Sequence, residues 1–154
     1  MPSIPGYFKV IKEITRHLLR RPVTGIAAAA HTADGRWLLI RRGDTGEWAL
    51  PGGTLEWGEN LRDGIIRELE EEAGITQVIL GDVVGVYSRF DRDPRFHAVT
   101  IVVEATVEPP SRPPMNQVEI REVHLFSVNE LPECLSHGMT EMLENARRKV
   151  SYWE

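Results

Sequence analysis

Apolar positions recur along the chain with two different periods. Near the amino end, Tyr7, Ile11, Ile14 and Leu18 follow a 4-3-4 spacing, which predicts an amphipathic helix that stops before Pro22, the helical region covering residues 1–21. Lys9, Lys12, Arg16 and Arg20 fall on its other face. Such a helix either caps the domain core or docks on a second subunit. Residues 23–31 then run through small and branched apolar side chains, Asp34-Gly35 marks a turn, and 37–40 returns, a pattern that predicts a β-hairpin. Residues 78–87, 98–107 and 119–127 read as further strands, and 139–150 as a helix with Met139, Met142, Leu143 and Ala146 on one side. Four prolines between 109 and 114 predict an extended surface segment. These elements add up to a mixed sheet with helices on its faces, a three-layer α/β arrangement within one domain spanning residues 1–154.

Between Gly53 and Ile75 the polarity inverts. This stretch holds six glutamates, and a helix over 61–73 carries Leu61, Ile65, Ile66 and Leu69 as its buried stripe, with the carboxylates opposite. Glu68, Glu71 and Glu72 stand at i, i+3 and i+4, so one helix face stacks three like charges. Either water screens them or a cation sits among them. Gly64 inside the helix costs about 1 kcal/mol relative to alanine, which predicts a close backbone approach there. Pro51-Gly52-Gly53 reads as a turn outside any strand, and Gly74 as a left-handed helix cap.

Gly53, Glu59, Arg67, Glu68, Glu71, Glu72 and Gly74, with apolar Leu69 and Ile75, match the box of the Nudix hydrolases over residues 53–75. At ordinary residue usage, seven fixed positions recur by chance in a chain of this length with odds of about 10⁻⁷ to 10⁻⁶. The resemblance implies an α/β/α sandwich with a mixed β-sheet, to which the amino-terminal helix is added. It also implies Mg²⁺ or Mn²⁺ held by Glu68, Glu71 and Glu72 with a backbone carbonyl of Gly52, and Arg67 orienting a neighbouring carboxylate. Glu59 is expected to tie the loop to the helix start. Nudix enzymes often draw a proton acceptor from outside the box. Glu119 stands in register for that role, with Asn116 and Glu122 as competitors and a solvated glutamate as the plain alternative.

The segment Asp93-Pro94-Arg95-Phe96-His97 resembles the branch of the family that acts on ADP-ribose and nucleoside diphosphate sugars. That branch tends to carry a proline where this chain has Phe90, which widens the expected substrates beyond ADP-ribose. The implied reaction is metal-dependent hydrolysis of a diphosphate linked to a sugar, giving a nucleoside monophosphate and a sugar phosphate. The alternatives are pyrophosphohydrolysis of oxidised nucleoside triphosphates and a catalytically silent nucleotide-sensing module. Arg41, Arg42 and Arg95 are candidate phosphate forks, against a plain reading as surface arginines. Trp48 and Phe90 are candidate pocket walls, against core packing.

Charge narrows the partners. A net charge of -5 opposes a broad grip on nucleic acid polymers. The single cysteine, Cys134, excludes an internal disulfide and fits a reducing cytoplasm. There is neither a secretion signal nor a run of 18 apolar residues, so no membrane span is expected. A small-molecule substrate and a homodimer complete the expectation.

Overall fold

A computed structural model describes residues 6–154. Its centre is strand β1 (Val23–His31), whose alternate side chains serve two cores. Ile26, Ala28 and Ala30 join the side covered by helix α2 (Leu61–Ala73), while Ala27 and Ala29 join the side covered by helix α3 (Met139–Arg147). Small residues on both faces let the two helical layers close on the sheet. Strand β2 (Trp37–Arg42) divides the same way: Leu38 and Ile40 face the α2 core, Trp37 and Leu39 the α3 core. The result is the three-layer α/β/α sandwich with a mixed sheet that the sequence predicted.

The remaining strands are β3 (Trp48–Ala49), β4 (Gly52–Thr54), β5 (Val78–Tyr87), β6 (Ala98–Val107), β7 (Ile120–Phe126) and β8 (Tyr152–Trp153). Along the sheet the order is β3-β2-β1-β6-β5-β8, with β4 also paired to β1 and β7 to β2. The β1–β6 and β5–β8 pairs are parallel and the others antiparallel.

Three local expectations are corrected. Gly52 and Gly53 are not a free turn but lie in β4, opposite Ala27 and Ile26 of β1. A Cβ at Gly52 would strike the Ile26 carbonyl, so only glycine allows the strand this close. Helix α3 ends at Arg147, because Lys149 turns to φ +53°. Ile66 does not join the buried stripe of α2, being 39% exposed; Glu68 and Glu72 are buried instead, at the margin of Ile65 and Leu69. Gly64 is closely approached, by side chains rather than by another backbone: a Cβ there would crowd those of Ile26, Leu55 and Glu59.

Helix α1 (Gly6–Leu19) forms where the periodicity placed it. Among the described residues its stripe does not cap the core: Ile11, Ile14 and Leu18, with neighbouring Val10, are exposed, between 41% and 69%. Residues 1–5 and the side chains of Tyr7, Lys9 and Arg16 lie outside the described residues. Among the described residues, no helix is long and apolar enough to cross a membrane.

The box helix is fixed at both ends. Asn60 caps it, its Oδ1 accepting the Asp63 N–H at 3.1 Å. At the other end Gly74 takes φ +66°, and the Gly74 and Ile75 N–H groups close on the carbonyls of Glu70 and Leu69. The proline-rich segment folds over this end rather than standing free: Ser111 donates to the Gly74 carbonyl and Met115 to the Glu71 carbonyl, and Arg112 pairs with Glu70. A Cβ at Gly74 would meet the Arg112 carbonyl. Gly74→Ala is therefore expected to destabilise the fold by about 2–4 kcal/mol, from left-handed strain plus the clash, measured as a fall in urea midpoint with the m-value unchanged.

Candidate active site

Helix α2 and strand β4 make one wall of a cavity of about 560 Å³. The glycines of β4 bring the strand directly onto the helix carboxylates. Gly52 N–H donates to Glu72 Oε2 at 2.8 Å, and a Cβ at Gly53 would collide with the Glu68 carboxylate. Arg67 organises the same wall. Its Nε and Nη2 donate to the two oxygens of Glu59 at 2.8 and 3.0 Å, its Nη1 to Glu68 Oε1 at 2.8 Å, and Glu71 Oε2 lies 3.6 Å away. Glu59 also accepts the Glu56 N–H, so the loop before the helix hangs from Arg67 through one carboxylate.

Burial sets the electrostatics. Loss of water pushes the Glu72 carboxyl up to about 8, assisted by the charges of Glu68 and Glu119 and resisted by the Gly52 N–H. Glu68 is also raised, by burial first, with Arg67 pulling it back. Glu71, at the solvent side of the helix, is exposed. A group of buried acids whose ionised forms disfavour one another suits a divalent cation, whose charge reverses the penalty. The donors, all hard carboxylate oxygens at helical spacing beside a backbone strand, fit Mg²⁺ or Mn²⁺ in chemistry. Gly52, Glu68, Glu71 and Glu72 all border the cavity. Among the described residues, however, no three acidic, histidine or cysteine side chains already converge closely enough to hold a metal ion. Glu68 is turned to Arg67 and Glu72 to Gly52.

Glu119 borders the cavity from the turn before β7. Asn116 holds it there, Nδ2 donating to Glu119 Oε2 at 3.2 Å while Asn116 Oδ1 receives the Glu119 N–H. Glu122 does not share this place: it lies along β7 beside Arg41, 3.5 Å from its Nη1.

The expected substrate contacts divide. Arg95 borders the cavity, its guanidinium on Asp93 at 2.8 Å and stacked 5.0 Å over the Phe96 ring. Arg41, Trp48 and Phe90 are not brought to it. Arg41 and Trp48 pair across β2 and β3 on the α3 side, where Trp48 packs edge-on to Phe126 at 4.9 Å. Phe90 is neither in the core nor in the cavity, but 77% exposed in a turn. Arg42, the other candidate fork of β2, does border the cavity, in a two-pronged bond to Asp44, and the structure adds Glu56, Asp93, Phe96 and His137. Arg42 could have been chosen over Arg41 from the alternation of β2, since Leu38 and Ile40 already point to the α2 side. The others carry no periodic signal.

The loop that bears Asp93 and Arg95 is anchored by Glu154. One Glu154 oxygen receives the Ser88 and Arg89 N–H groups at 2.7 and 2.6 Å, and the other binds Arg92. Arg92 also pairs with Glu141 of α3 at 2.8 Å and lies 4.8 Å over the Tyr87 ring.

An α/β/α sandwich with a glutamate-lined helix at the cavity defines a class, and the sequence families agree. The model of the NUDIX domain matches residues 20–150, and the chain belongs to the Nudix hydrolase family. An ADP-ribose pyrophosphatase of Methanocaldococcus jannaschii is 36% identical over 103 residues, 65% of this chain and 59% of that protein. The chain therefore spans a little over half the length of that relative. Among solved structures, a UDP-X diphosphatase shares the fold with a TM-score of 0.72 at 20% identity, covering 96% of this chain and 75% of the other. An ADP-ribose pyrophosphatase from Streptococcus suis superposes with a TM-score of 0.68 at 26% identity, over 87% of this chain and 97% of the other.

Proposed function

We propose that this protein hydrolyses the diphosphate bond of a nucleoside diphosphate linked to a sugar, ADP-ribose included, with a divalent metal. The observation that carries the reading is the composition of one cavity: Glu68, Glu71, Glu72 and Glu119 share it with Arg42 and Arg95. Acids suited to a cation and arginines suited to phosphoryl oxygens are the two halves of a phosphoanhydride site. The similarity to a protein named ADP-ribose pyrophosphatase supports the substrate class.

Glu68, Glu71 and Glu72, with the backbone at Gly52, would hold Mg²⁺ or Mn²⁺. When bound, that ion would activate a water and polarise a phosphoryl oxygen. Arg67 fixes the direction of Glu68 and bridges it to the loop through Glu59. Glu119, steadied by Asn116, takes the proton of the attacking water. Arg42 and Arg95 offset charge on the phosphates, each sharing its fork with the aspartate it already binds. The exposed stripe of α1 supports pairing of two copies, and the exposed free thiol of Cys134 supports a reducing cytoplasm.

The test is product analysis with Mg²⁺ against ADP-ribose, UDP-glucose, GDP-mannose and 8-oxo-dGTP. Nucleoside monophosphate and sugar phosphate from at least one of the first three is the expected result. Turnover of the triphosphate alone would overturn the reading.

A further inference from the structure

The short turn Ser136–Gly138 is strained, and it buries Ser136 and the side chain of His137. His137 takes φ +53° and Gly138 φ +69°, two successive left-handed residues of which only the glycine does so freely. The His137 side chain is only 7% exposed. Its Nε2 is buried with no hydrogen-bond partner among the described residues, and so is the Oγ of Ser136 beside it. Buried polar atoms are nearly always paired, and strain kept at a cavity wall marks a place where the fold holds a side chain for use.

The surroundings define what His137 can bind. It borders the cavity of the box glutamates, yet its strongest charged neighbours are Arg95, Asp93, Arg42 and Asp44. Its Nδ1 lies 3.8 Å from Asp93 Oδ1. Asp93 is itself fixed, receiving the Arg95 backbone N–H at 2.9 Å and the Arg95 guanidinium at 3.0 and 2.8 Å. A carboxylate beside Nδ1 favours the proton on that nitrogen and leaves the lone pair on Nε2. Burial, and then the charge of Arg95, depress the imidazole pKa, which keeps the ring neutral at pH 7. A neutral Nε2 with a lone pair accepts a hydrogen bond and repels phosphate oxygens. Donors for phosphate are already present in Arg42 and Arg95.

We propose that His137 is a specificity-determining residue whose Nε2 accepts a hydrogen bond from a sugar hydroxyl of the substrate. This rests on the reading of the cavity as a diphosphatase site and adds which part of the substrate is read, and by what. Turnover is measured on UDP-glucose and its four monodeoxy analogues, or on ADP-ribose and its deoxyribose analogues if only that compound is hydrolysed. In the native protein one deoxy analogue loses about tenfold in kcat/KM. His137→Asn, which tolerates the left-handed backbone but is too short to reach, raises KM for the parent compound about tenfold with kcat within threefold. In that variant the deoxy penalty falls below twofold. His137→Gln, whose amide oxygen stands in for Nε2, recovers most of the KM. His137→Gly relieves the backbone, and its melting temperature reports whether the imidazole is needed for folding.

A KM unchanged in His137→Asn overturns the proposal. So does a raised KM with the deoxy penalty intact, which marks a structural role. A native protein that hydrolyses none of the sugar diphosphates overturns the functional reading itself, and this inference falls with it.

Discussion

Glu72→Gln is expected to lower kcat with Mg²⁺ by about 10³-fold and to weaken Mg²⁺ binding in parallel. Loss of roughly 4 kcal/mol of charge stabilisation in the transition state corresponds to that factor. The substitution is nearly isosteric, and the amide oxygen can still receive the Gly52 N–H, so the fold itself should survive. Stability gives an independent check. The folded carboxyl is pushed up to about 8 from an ordinary value of 4.5, so the native state binds the extra proton between those limits. Stability from this group is complete below about pH 4.5 and is lost as the pH rises through 8. Metal-free native protein should therefore melt roughly 5 °C or more lower at pH 8.5 than at pH 5, with Glu72→Gln flattening the difference. Unchanged turnover and cation affinity in both Glu72→Gln and Glu71→Gln would dismantle the metal assignment.

Glu119→Gln is expected to cut kcat by about 10²-fold while leaving Mg²⁺ affinity and KM near their native values. The separation from Glu72 follows from position. Glu119 stands on a different element and is held by Asn116 rather than by the helix, so Glu119→Gln removes the proposed proton acceptor and reaches the cation donors only through the smallest of the charges acting on Glu72. Asn116→Ala, which frees the carboxylate to swing, should give a smaller loss in the same direction. Isothermal titration with Mg²⁺ beside steady-state kinetics distinguishes the two roles: a fall in cation affinity equal to the fall in kcat would reassign Glu119 as a ligand, and an unchanged rate would remove it from the mechanism.

The fold was legible in the sequence wherever one period persisted. Strands 23–31, 78–87 and 98–107 and helix 61–73 were read with the bounds the structure shows. Alternation and helical spacing are local, and packing reinforced them. The box wall was legible for a related reason, because residues 53–75 bring its parts together within one helix and the strand before it. The other wall was legible only in part: Arg42, Arg95, Asn116 and Glu119 were candidates, but nothing local joined them to one another or to Asp93 and His137. Arg42, Asp93, Arg95, Asn116, Glu119 and His137 come from separate turns and strand ends that meet only after the sheet is assembled. Aromatic character misdirected the choice of Trp48 and Phe90. Trp48 follows the alternation of its strand to the α3 face, and Phe90 stands in a turn with nothing packed over it. The paired glycines of β4 read as a turn in the sequence because glycine is a poor strand former. Here the absence of a side chain is what lets the strand lie against Ile26 and Glu68.

The anchoring of the 88–95 loop by Glu154 bears on how the molecule comes together during synthesis. By residue 73 a growing chain already contains every acid of the box, but the clamp that steadies Asp93 and Arg95 does not exist until residue 154 has emerged and reached Arg92. A nascent chain thus holds every acid of the box long before the loop that bears Asp93 and Arg95 is anchored.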